Sequence, residues 1–271
     1  MVESHLDDFG ELTRKISVER GFGCASYKEK CLRRRIAVRM RARGVHTFGD
    51  YARILDADAA EYERLLDVLT INVTKLFRNW EVYASIAAKV IPELWQRERD
   101  AIRVWSAGCS AGQEPYSLAV LFHRHASTSG MLAQVGRVEV LGTDIDRQSL
   151  EAAARGEFAE SDFSETPEEL RRRYFSASPP FTVSQGVRDL VRFERRDLLA
   201  GASPAAPCDL IVCRNVLIYF DRETQERIFD QFYESLSPEG FLVLGKVETL
   251  LGRTRGRFSV VDARERIFRR L

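Results

Sequence analysis

The chain has 271 residues, 45% of them hydrophobic, and a formal net charge of +1 at pH 7. This length allows one large or two modest domains, and the near-zero net charge argues against a general nucleic-acid binder. No apolar run approaches the roughly 20 residues of a membrane span and no signal-peptide pattern opens the chain, so we expect a cytoplasmic protein. The five cysteines include no C-x-x-C pair, and we expect free thiols and no metal site.

Residues 1–80 show helical periodicity and no strand signal. Leu32, Ile36 and Met40 repeat at nearly helical spacing, and Gly44 follows as a helix end. Thr47 is typical of a residue that caps the next helix. The expected helices are 27–43, 47–55 and 62–69.

The helix 27–43 is strongly basic and has a single acidic residue, Glu29. A basic helix is most often a solvated face, but it also suits nucleic acid or an acidic partner. Because the charge is one-sided, we favour the docking of an acidic partner. The basic residues are Lys28, Lys30, Arg33, Arg34, Arg35, Arg39, Arg41 and Arg43.

From Ile102 onward, short apolar runs alternate with helical stretches. This alternation is typical of a parallel sheet whose strands are joined by helices. The last residues are typical of an antiparallel hairpin, 258–261 with 266–268. The expected strands are 102–105, 138–143, 209–212 and 241–244, and the expected helices are 113–125, 147–155, 165–174 and 222–236.

The stretch 175–196 is irregular. Pro179 and Pro180 break the helix that precedes it. The apolar runs that follow have the length of short strands, so we predict that 182–187 and 191–194 pair as a hairpin.

Residues 104–117, VWSAGCSAGQEPYS, join an apolar strand to a helix through a turn of small residues. Small side chains let the backbone approach a ligand closely, and N–H groups at a helix start attract negative charge. Gly108 and Gly112 are spaced differently from a dinucleotide fingerprint, however, and Glu114 would repel a pyrophosphate. A carboxylate there suits a ligand that carries a cation, such as S-adenosylmethionine. The alternative is an ordinary strand-to-helix turn, with Glu114 stabilised by the helix dipole.

The segment 138–146, VEVLGTDID, is a second apolar run that ends in acidic residues. In doubly wound sheets, an acidic residue after the second strand hydrogen-bonds the ribose hydroxyls of the ligand. Asp144 has this position, whereas Asp146 is better placed to cap the following helix. A lone Asp after a strand is usually a cap, but its spacing from the glycine turn favours Asp144 as a ligand contact.

Four segments together resemble the CheR-type chemotaxis receptor glutamate methyltransferases. They occur in the order and spacing of that family, and the resemblance extends from about Phe22 to Leu271. The segments are INVTKLFRN from Ile71, VWSAGCSAGQEPYSLA from Val104, LGTDID from Leu141 and CRNVLIYFD from Cys213.

The resemblance implies an α/β protein with a Rossmann-like class I methyltransferase domain, an N-terminal all-helical domain and a small antiparallel β-subdomain. The implied boundaries are 1–80 for the helical, receptor-docking domain and 81–271 for the methyltransferase domain, with 175–196 as the inserted β-subdomain. The implied reaction transfers a methyl group from S-adenosylmethionine to glutamate side chains of chemoreceptors. Its products are glutamate methyl esters and S-adenosylhomocysteine.

The family's cofactor contacts carry over to matching positions of this chain. Asp197 stands where the family often has Asn, and an Asp accepts a hydrogen bond from the adenine amino group but donates none to a ring nitrogen. Glu114 would pair with the ammonium of the cofactor. The implied cofactor-binding residues are Asn72, Thr74, Arg78, Gly108, Glu114, Asp144, Asp197, Leu198, Asn215 and Val216.

Two residues are implied as catalytic, Arg78 and Tyr219. A guanidinium can hold a carboxylate through two hydrogen bonds, so Arg78 suits the substrate glutamate. Its alternative role is an interdomain salt bridge. The Tyr219 hydroxyl would orient the incoming carboxylate, or its ring would flank the sulfonium. The alternative for Tyr219 is a core aromatic.

The resemblance also bears on partners. The family docks Glu-rich and Gln-rich receptor helices on its basic helix, which implies Arg35, Arg39 and Arg41 as docking residues. The loop within 175–196 is shorter than in members that bind a receptor's C-terminal tethering peptide, so we expect none here. We further expect a monomer with no nucleic-acid partner and no membrane insertion.

One departure from the family bears on whether the chain is active. Lys246 and Val247 replace the usual His and Ser before Glu248. The leading interpretation is an active receptor methyltransferase, and this departure leaves open a cofactor-binding module that has lost catalysis. A methyltransferase for another substrate is a further alternative. Arg78 and Tyr219, both retained, favour the first.

Overall fold

A computed structural model describes residues 2–70 and 74–271, with side chains from Asp8 onward. The chain divides into two compact units. The first, which we call the helical unit, is Met1–Ile71 with Tyr219–Thr224. The second is Asn72–Ile218 with Gln225–Leu271, and we call it the methyltransferase unit after the domain that the resemblance implies.

The helical unit is built from amphipathic helices around one apolar core. The core includes Leu12, Ile36, Tyr51 and Leu65, which are all buried. The predicted cap is confirmed, because the Thr47 side chain accepts a hydrogen bond from the backbone N–H of Asp50. The helices are α1 (Val2–Arg20), α2 (Glu29–Ala42), α3 (Phe48–Ala57) and α4 (Ala59–Leu69), and α1 was not predicted from the sequence.

Two basic residues of α2 stabilise the helical unit from inside. Glu61 is fully buried and accepts hydrogen bonds from Arg39 Nε (2.9 Å), Arg39 Nη2 (2.6 Å) and the Tyr51 hydroxyl (2.8 Å). Arg35 is also buried, and its Nη1 donates to the carbonyl of Leu69. The interpretation of Arg35 and Arg39 as exposed docking charges is therefore wrong, because internal acceptors hold both guanidinium groups.

The methyltransferase unit contains a seven-stranded sheet in the order β5-β2-β1-β6-β7-β9-β8. β1, β2, β5, β6 and β7 run parallel to one another. β8 and β9 form the predicted antiparallel hairpin at one edge, and β9 also pairs antiparallel with β7. The strands are β1 (Ile102–Ala107), β2 (Val138–Asp144), β3 (Glu157–Phe158), β4 (Phe181–Thr182), β5 (Val191–Arg195), β6 (Cys208–Cys213), β7 (Leu236–Leu244), β8 (Phe258–Asp262) and β9 (Ile267–Arg270).

Helices connect these strands, as the alternating pattern predicts. The segment from Trp80 to Gln96 is also helical, with a π-helical part at Ile86–Val90, and the sequence analysis did not identify it. The remaining α-helices are α5 (Trp80–Ser85), α6 (Ile91–Gln96), α7 (Gln113–Thr128), α8 (Arg147–Arg155), α9 (Glu168–Tyr174), α10 (Gln185–Arg188) and α11 (Arg222–Ser235).

The predicted hairpin within 175–196 is wrong. β4 pairs instead with β3, and together they form a separate two-stranded antiparallel sheet. β5 joins the main sheet parallel to β2, with Val140 opposite Val191, and the residues between β4 and β5 include the short helix α10. The small sheet thus combines residues from inside and outside the predicted range.

The boundary between the units lies at 71/72, nine residues before the predicted position. Leu76 and Phe77 explain this difference, because both are fully buried in the core of the methyltransferase unit. Tyr219–Thr224 belongs to the helical unit because its backbone pairs with that unit, where Lys28 N–H donates to the carbonyl of Tyr219 (2.9 Å).

The Glu61 network generates a stability prediction. Burial disfavours the ionised carboxyl of Glu61, yet the hydrogen bonds from Arg39 and Tyr51 hold its pKa below the usual value. We expect Glu61→Gln to lower the free energy of unfolding by about 3 kcal/mol at pH 7, because the remaining partner of a buried ion pair is left uncompensated. Urea denaturation followed by circular dichroism measures this.

The same network predicts a pH dependence. Since the folded-state pKa of Glu61 is lowered, its contribution is present above the unfolded-state pKa of about 4.3 and is lost as the pH falls through the folded-state value. The difference between wild type and variant should therefore shrink below about pH 4. Glu63→Gln on the same helix is the control, because that side chain is 57% exposed. An equal loss in both variants would contradict the prediction.

Candidate active site

The glycine turn after β1 is fixed by contacts with β2 and with the loop after β6. The N–H groups of Gly108 and Cys109 both donate to the carbonyl of Thr143, at 2.8 and 2.9 Å. Gly108 has a φ of 77°, and a Cβ there would lie 2.6 Å from Val216 Cγ2. Position 108 therefore requires glycine both for its backbone conformation and for its packing against Val216.

Asp144, at the end of β2, closes the other side of this turn. Its Oδ2 accepts from the N–H of Ser110 (2.8 Å) and its Oδ1 accepts from the N–H of Asp146 (2.9 Å). Burial raises the pKa of the Asp144 carboxyl, although these N–H groups favour its ionised form. Asp146 caps α8 by accepting from the N–H of Gln148 (3.0 Å), which confirms the predicted cap.

Glu114 lies in the first turn of α7 with its carboxylate largely buried. Ser106 Oγ donates to its Oε1 (2.8 Å), and Arg214 Nη1 lies 3.7 Å from its Oε2. Burial raises the pKa of the Glu114 carboxyl, while the positive charges of Arg214 and Arg78 oppose this rise. The carboxylate is thus held in a poorly solvated position where a further cation would be strongly attracted.

The segment that contains Arg78 is held firmly within the methyltransferase unit. Phe77 N–H donates to Ser117 Oγ (2.8 Å), and Asn79 N–H donates to Glu165 Oε2 (2.6 Å). Phe77 and Asn79 both have positive φ values, 52° and 58°. This strained backbone presents Arg78 between two anchored neighbours. Such strain in residues other than glycine occurs most often at functional positions.

Glu248 organises the loop that follows β6, and the sequence analysis made no claim for it. Its Oε2 accepts from the N–H groups of Gly245 (2.6 Å) and Asn215 (3.0 Å), and its Oε1 accepts from the N–H of Leu217 (2.8 Å). Asn215 has a left-handed φ of 62°, which these bonds help to maintain. The available signal was a glycine and an acidic residue, Gly245 and Glu248, in the turn that follows a buried apolar strand.

Lys246 and Val247, which replace the His and Ser of the family pattern, take no part in the hydrogen bonds of Glu248. Lys246 and Val247 are exposed, and the Val247 side chain reaches 77% exposure. Gly245 and Glu248 are buried and keep the hydrogen bonds described above. The replacement of His and Ser therefore changes the surface and leaves the supporting carboxylate in place.

The remaining predicted site residues lie in three places. Asp197 Oδ1 accepts from the N–H of Leu199 (2.8 Å), and Leu198 is buried next to it. Thr74 is half-buried, and Asn72 lies outside the described residues. Tyr219 belongs to the helical unit.

Tyr219 is held by the helical unit through its ring as well as its backbone. The Arg35 guanidinium carbon lies 4.2 Å from the centre of the Tyr219 ring, close enough for a cation–π interaction. The prediction that Tyr219 is catalytic stays a prediction, and so does the alternative that it is a core aromatic.

The carboxyl edge of the sheet collects most of the predicted cofactor residues. Gly108 follows β1, Asp144 ends β2 and Asn215 follows β6, and these three strands are neighbours. Ligands of open α/β sheets bind at this edge. In the same turn, the buried Ser110 Oγ has no hydrogen-bond partner among the described residues, as expected where a polar ligand completes the site. These residues fit S-adenosylmethionine, whose ammonium and ribose suit Glu114 and Asp144.

Other features of the described residues bear on the chemistry. No group of His, Cys, Asp and Glu side chains there has the arrangement of a metal site. The five cysteines are free, and burial raises the pKa of the Cys109 and Cys213 thiols. Within that same part of the chain, no helix is both long and apolar enough to cross a membrane.

The role of Glu248 is testable. We expect Glu248→Gln to weaken binding of S-adenosylhomocysteine by about 1.5–3 kcal/mol, the usual contribution of hydrogen bonds to a charged group. The physical reason is that the amide loses the charge that three backbone N–H groups share, so Asn215 is no longer fixed. Calorimetric titration measures the change. Glu234→Gln, at a carboxylate whose side chain is 72% exposed, should bind like wild type, and equal affinity of all three proteins would remove Glu248 from the site.

Comparison with known proteins agrees with this geometry. Residues 7–70 match the CheR methyltransferase all-alpha domain, and residues 72–267 match the CheR methyltransferase SAM binding domain. The chemotaxis protein methyltransferase of Listeria monocytogenes is 34% identical over 252 residues, which is 93% of each chain. That of Salmonella typhimurium is 33% identical over 255 residues, 91% of this chain and 85% of the relative.

The enzyme of Escherichia coli shows the same degree of similarity. Its chemotaxis protein methyltransferase is 32% identical over 248 residues, 89% of this chain and 83% of the relative. Both domain models occur in the order that the two units follow, so the resemblance and the fold class are confirmed. The chain therefore belongs to the CheR family of methyltransferases, with S-adenosylmethionine as its cofactor.

Proposed function

We propose that this protein transfers the methyl group of S-adenosylmethionine to glutamate side chains on the cytoplasmic helices of chemoreceptors. The products are glutamate methyl esters and S-adenosylhomocysteine. The relatives are chemotaxis protein methyltransferases, which supports chemotaxis as the setting. Because those substrates are cytoplasmic, we propose that the enzyme acts there, as a monomer and without a tethering peptide.

One observation carries the proposal: buried Glu114 and anchored Arg78 lie in the same hydrogen-bonded part of the methyltransferase unit. The carboxylate attracts the cationic cofactor, and the guanidinium suits an anionic substrate. This combination favours an acidic acceptor over a neutral or basic one. A nucleic-acid base would not need Arg78, which weighs against that alternative.

The reaction requires alignment more than acid–base catalysis. S-adenosylmethionine supplies a methyl group on a positively charged sulfur. The acceptor glutamate has a reference pKa of about 4.3 and is already ionised at neutral pH. The protein must therefore hold the carboxylate in line and exclude water, and such alignment can contribute roughly 7–11 kcal/mol.

The histidines of α7 have structural neighbours rather than catalytic ones. His123 packs edge-on against Tyr174, and His125 packs against Trp95. Their positions agree with a mechanism that needs no general base. We propose Arg78 and Tyr219 as the residues that orient the carboxylate, with Tyr219 assigned by family resemblance.

The decisive test is a methyl-transfer assay with radiolabelled S-adenosylmethionine and purified receptor signalling domains. We expect label that is released as methanol by alkali, which identifies a carboxyl methyl ester. Matched receptor domains with alanine at the candidate glutamates are the control and should stay unlabelled. Binding of the cofactor without label on any receptor domain would favour the inactive-module alternative. Label that resists alkali would favour another acceptor chemistry.

The role of Asp144 is tested separately from catalysis. We expect Asp144→Ala to weaken binding of S-adenosylhomocysteine by about 1–3 kcal/mol, because the ribose loses a hydrogen-bonded partner. Asp146→Asn is the control in the same loop, since Asn is an equally good helix cap. Calorimetric titration of both variants decides the matter. Unchanged affinity in folded Asp144→Ala would exclude Asp144 as a ligand contact.

Docking is tested with the exposed arginines of α2, because acceptors within the helical unit hold Arg35 and Arg39. Arg34 and Arg41 are exposed. We expect the double reversal Arg34→Glu and Arg41→Glu to slow receptor methylation about fivefold or more at low salt, since each exposed charge pair contributes up to about 1 kcal/mol. The defect should shrink as salt shortens the screening length from about 30 Å at 0.01 M to about 8 Å at 0.15 M.

Two further variants separate docking from catalysis in the same salt series. Arg78→Ala should slow methyl transfer at every salt concentration, because its substrate partner would be shielded from solvent ions. Arg172→Glu reverses an exposed charge of the methyltransferase unit, with a side chain that is 79% exposed, and should behave like wild type. Normal methylation by the α2 double variant at low salt would show that the outer face of α2 is merely solvated.

A further inference from the structure

Arg214 is a buried cation of the methyltransferase unit, and the proposed function assigns it no role. It follows β6 directly and is 8% exposed. Burying a guanidinium is unfavourable unless acceptors surround it. The acceptors that this residue meets therefore indicate what it does.

The guanidinium of Arg214 faces two different segments. Its Nη2 donates to the backbone carbonyl of Arg78 (2.9 Å) and to Asn79 Oδ1 (3.0 Å). Its Nη1 lies 3.7 Å from Glu114 Oε2 and 3.5 Å from the Tyr83 hydroxyl. A planar guanidinium has its donors in a fixed fork, so these partners share one rigid geometry.

We propose that Arg214 is a positioning residue that makes the placement of Arg78 depend on the cofactor bound at Glu114. The proposal rests on the proposed function in taking Glu114 as the cofactor's ammonium partner and Arg78 as the substrate's partner. Without ligand, Arg214 is a main counter-ion of the buried Glu114 carboxylate. A ligand ammonium at Glu114 forms a second ion pair with that carboxylate and weakens the ion pair between the carboxylate and Arg214.

The hydrogen bonds from Arg214 to Arg78 and Asn79 link the change at Glu114 to the residue that we propose holds the substrate. Arg214 and the Arg78 backbone are joined directly, and Asn79 has a strained φ of 58° that the hydrogen bonds stabilise. Occupied and empty cofactor sites therefore place Arg78 differently. The enzyme takes up its acceptor carboxylate productively only after the methyl donor has bound.

The experiment compares Arg214→Lys and Arg214→Met with wild type in the full-length protein. Three quantities are measured: the affinity for S-adenosylhomocysteine, kcat and KM for receptor methylation, and hydrogen–deuterium exchange of residues 76–82 with and without S-adenosylhomocysteine. Arg137→Lys is the matched control. Arg137 also donates to two backbone carbonyls, those of Trp95 and Arg97, but it precedes β2 at the opposite end from Asp144.

Arg214→Lys keeps a positive charge near Glu114 but loses the fixed guanidinium donors that bond to Arg78 and Asn79 together. We expect its affinity for S-adenosylhomocysteine to stay within about threefold of wild type, while kcat falls at least about tenfold, the scale for losing hydrogen bonds to a charged group. Arg214→Met should lose affinity as well. In wild type, S-adenosylhomocysteine should slow exchange in residues 76–82, and both Arg214 variants should lose this ligand-dependent protection.

Glu114→Gln provides an independent check because it leaves Arg214 intact. At saturating ligand, it should also lose the protection of residues 76–82, since the charge that links ligand and guanidinium is gone. Arg137→Lys should keep wild-type affinity, kcat and protection. Ligand-dependent protection that persists in Arg214→Lys or in Glu114→Gln would overturn the proposal, and so would an unchanged kcat in Arg214→Lys.

The two proposals can fail separately. If wild type does not methylate receptor domains, the proposed function is wrong, but the affinity and exchange measurements still decide the role of Arg214. If wild type methylates receptors and residues 76–82 respond to ligand equally in wild type and Arg214→Lys, the proposed function stands and the coupling role is wrong. Should Arg214→Met fail to fold, Arg214→Lys and Glu114→Gln still decide.

Discussion

The ion pair between Glu114 and Arg214 is the interaction on which the carboxyl edge of the sheet depends. Each group alone would be costly to bury, and removing either would leave the other without its charge partner. Their separation of 3.7 Å leaves the carboxylate only partly compensated, and its pKa is raised by burial. The site therefore attracts a further cation, and we propose that the cofactor's ammonium is that cation.

A second buried carboxylate, Glu248, supports the same edge by a different means. It has backbone N–H donors in place of a guanidinium, and these belong to the loop after β6. We thus propose that Glu114 attracts the ligand, whereas Glu248 fixes the backbone of the loop after β6. Lys246 and Val247 are exposed and contribute no bond to this support, so their replacement of His and Ser leaves it in place.

The sequence predicted the parts of the fold whose signals are local. Asp146 and Thr47 were identified as caps because capping depends on the adjacent turn alone. The pairing of β5 was mispredicted. The alternation of residues in a short strand indicates that one face is solvated, but it does not indicate which strand lies beside it. Its partner β2 lies about fifty residues earlier in the chain, and only tertiary packing selects it.

The error over α2 was avoidable from periodicity. Arg35 and Arg39 lie three and seven positions after Leu32, so they share the helix face that Ile36 and Met40 bury. The number of basic residues along α2 does not show this difference. A projection of α2 down its axis places Arg35 and Arg39 on the buried face, and Arg34 and Arg41 on the opposite face. Glu61 was equally hidden, because its burial depends on a different helix.

A buried charge is not by itself a sign of function, as a comparison of Glu61 with Glu114 illustrates. In the helical unit, Glu61 has bidentate hydrogen bonds from Arg39 and one from Tyr51, and its pKa is lowered. In the methyltransferase unit, Glu114 has a more distant guanidinium and a serine hydroxyl, and its pKa is raised. A satisfied carboxylate stabilises a fold, and an incompletely satisfied one attracts a ligand. This difference in compensation, which no residue pattern contains, is the reason for proposing Glu114, and not Glu61, as a ligand contact.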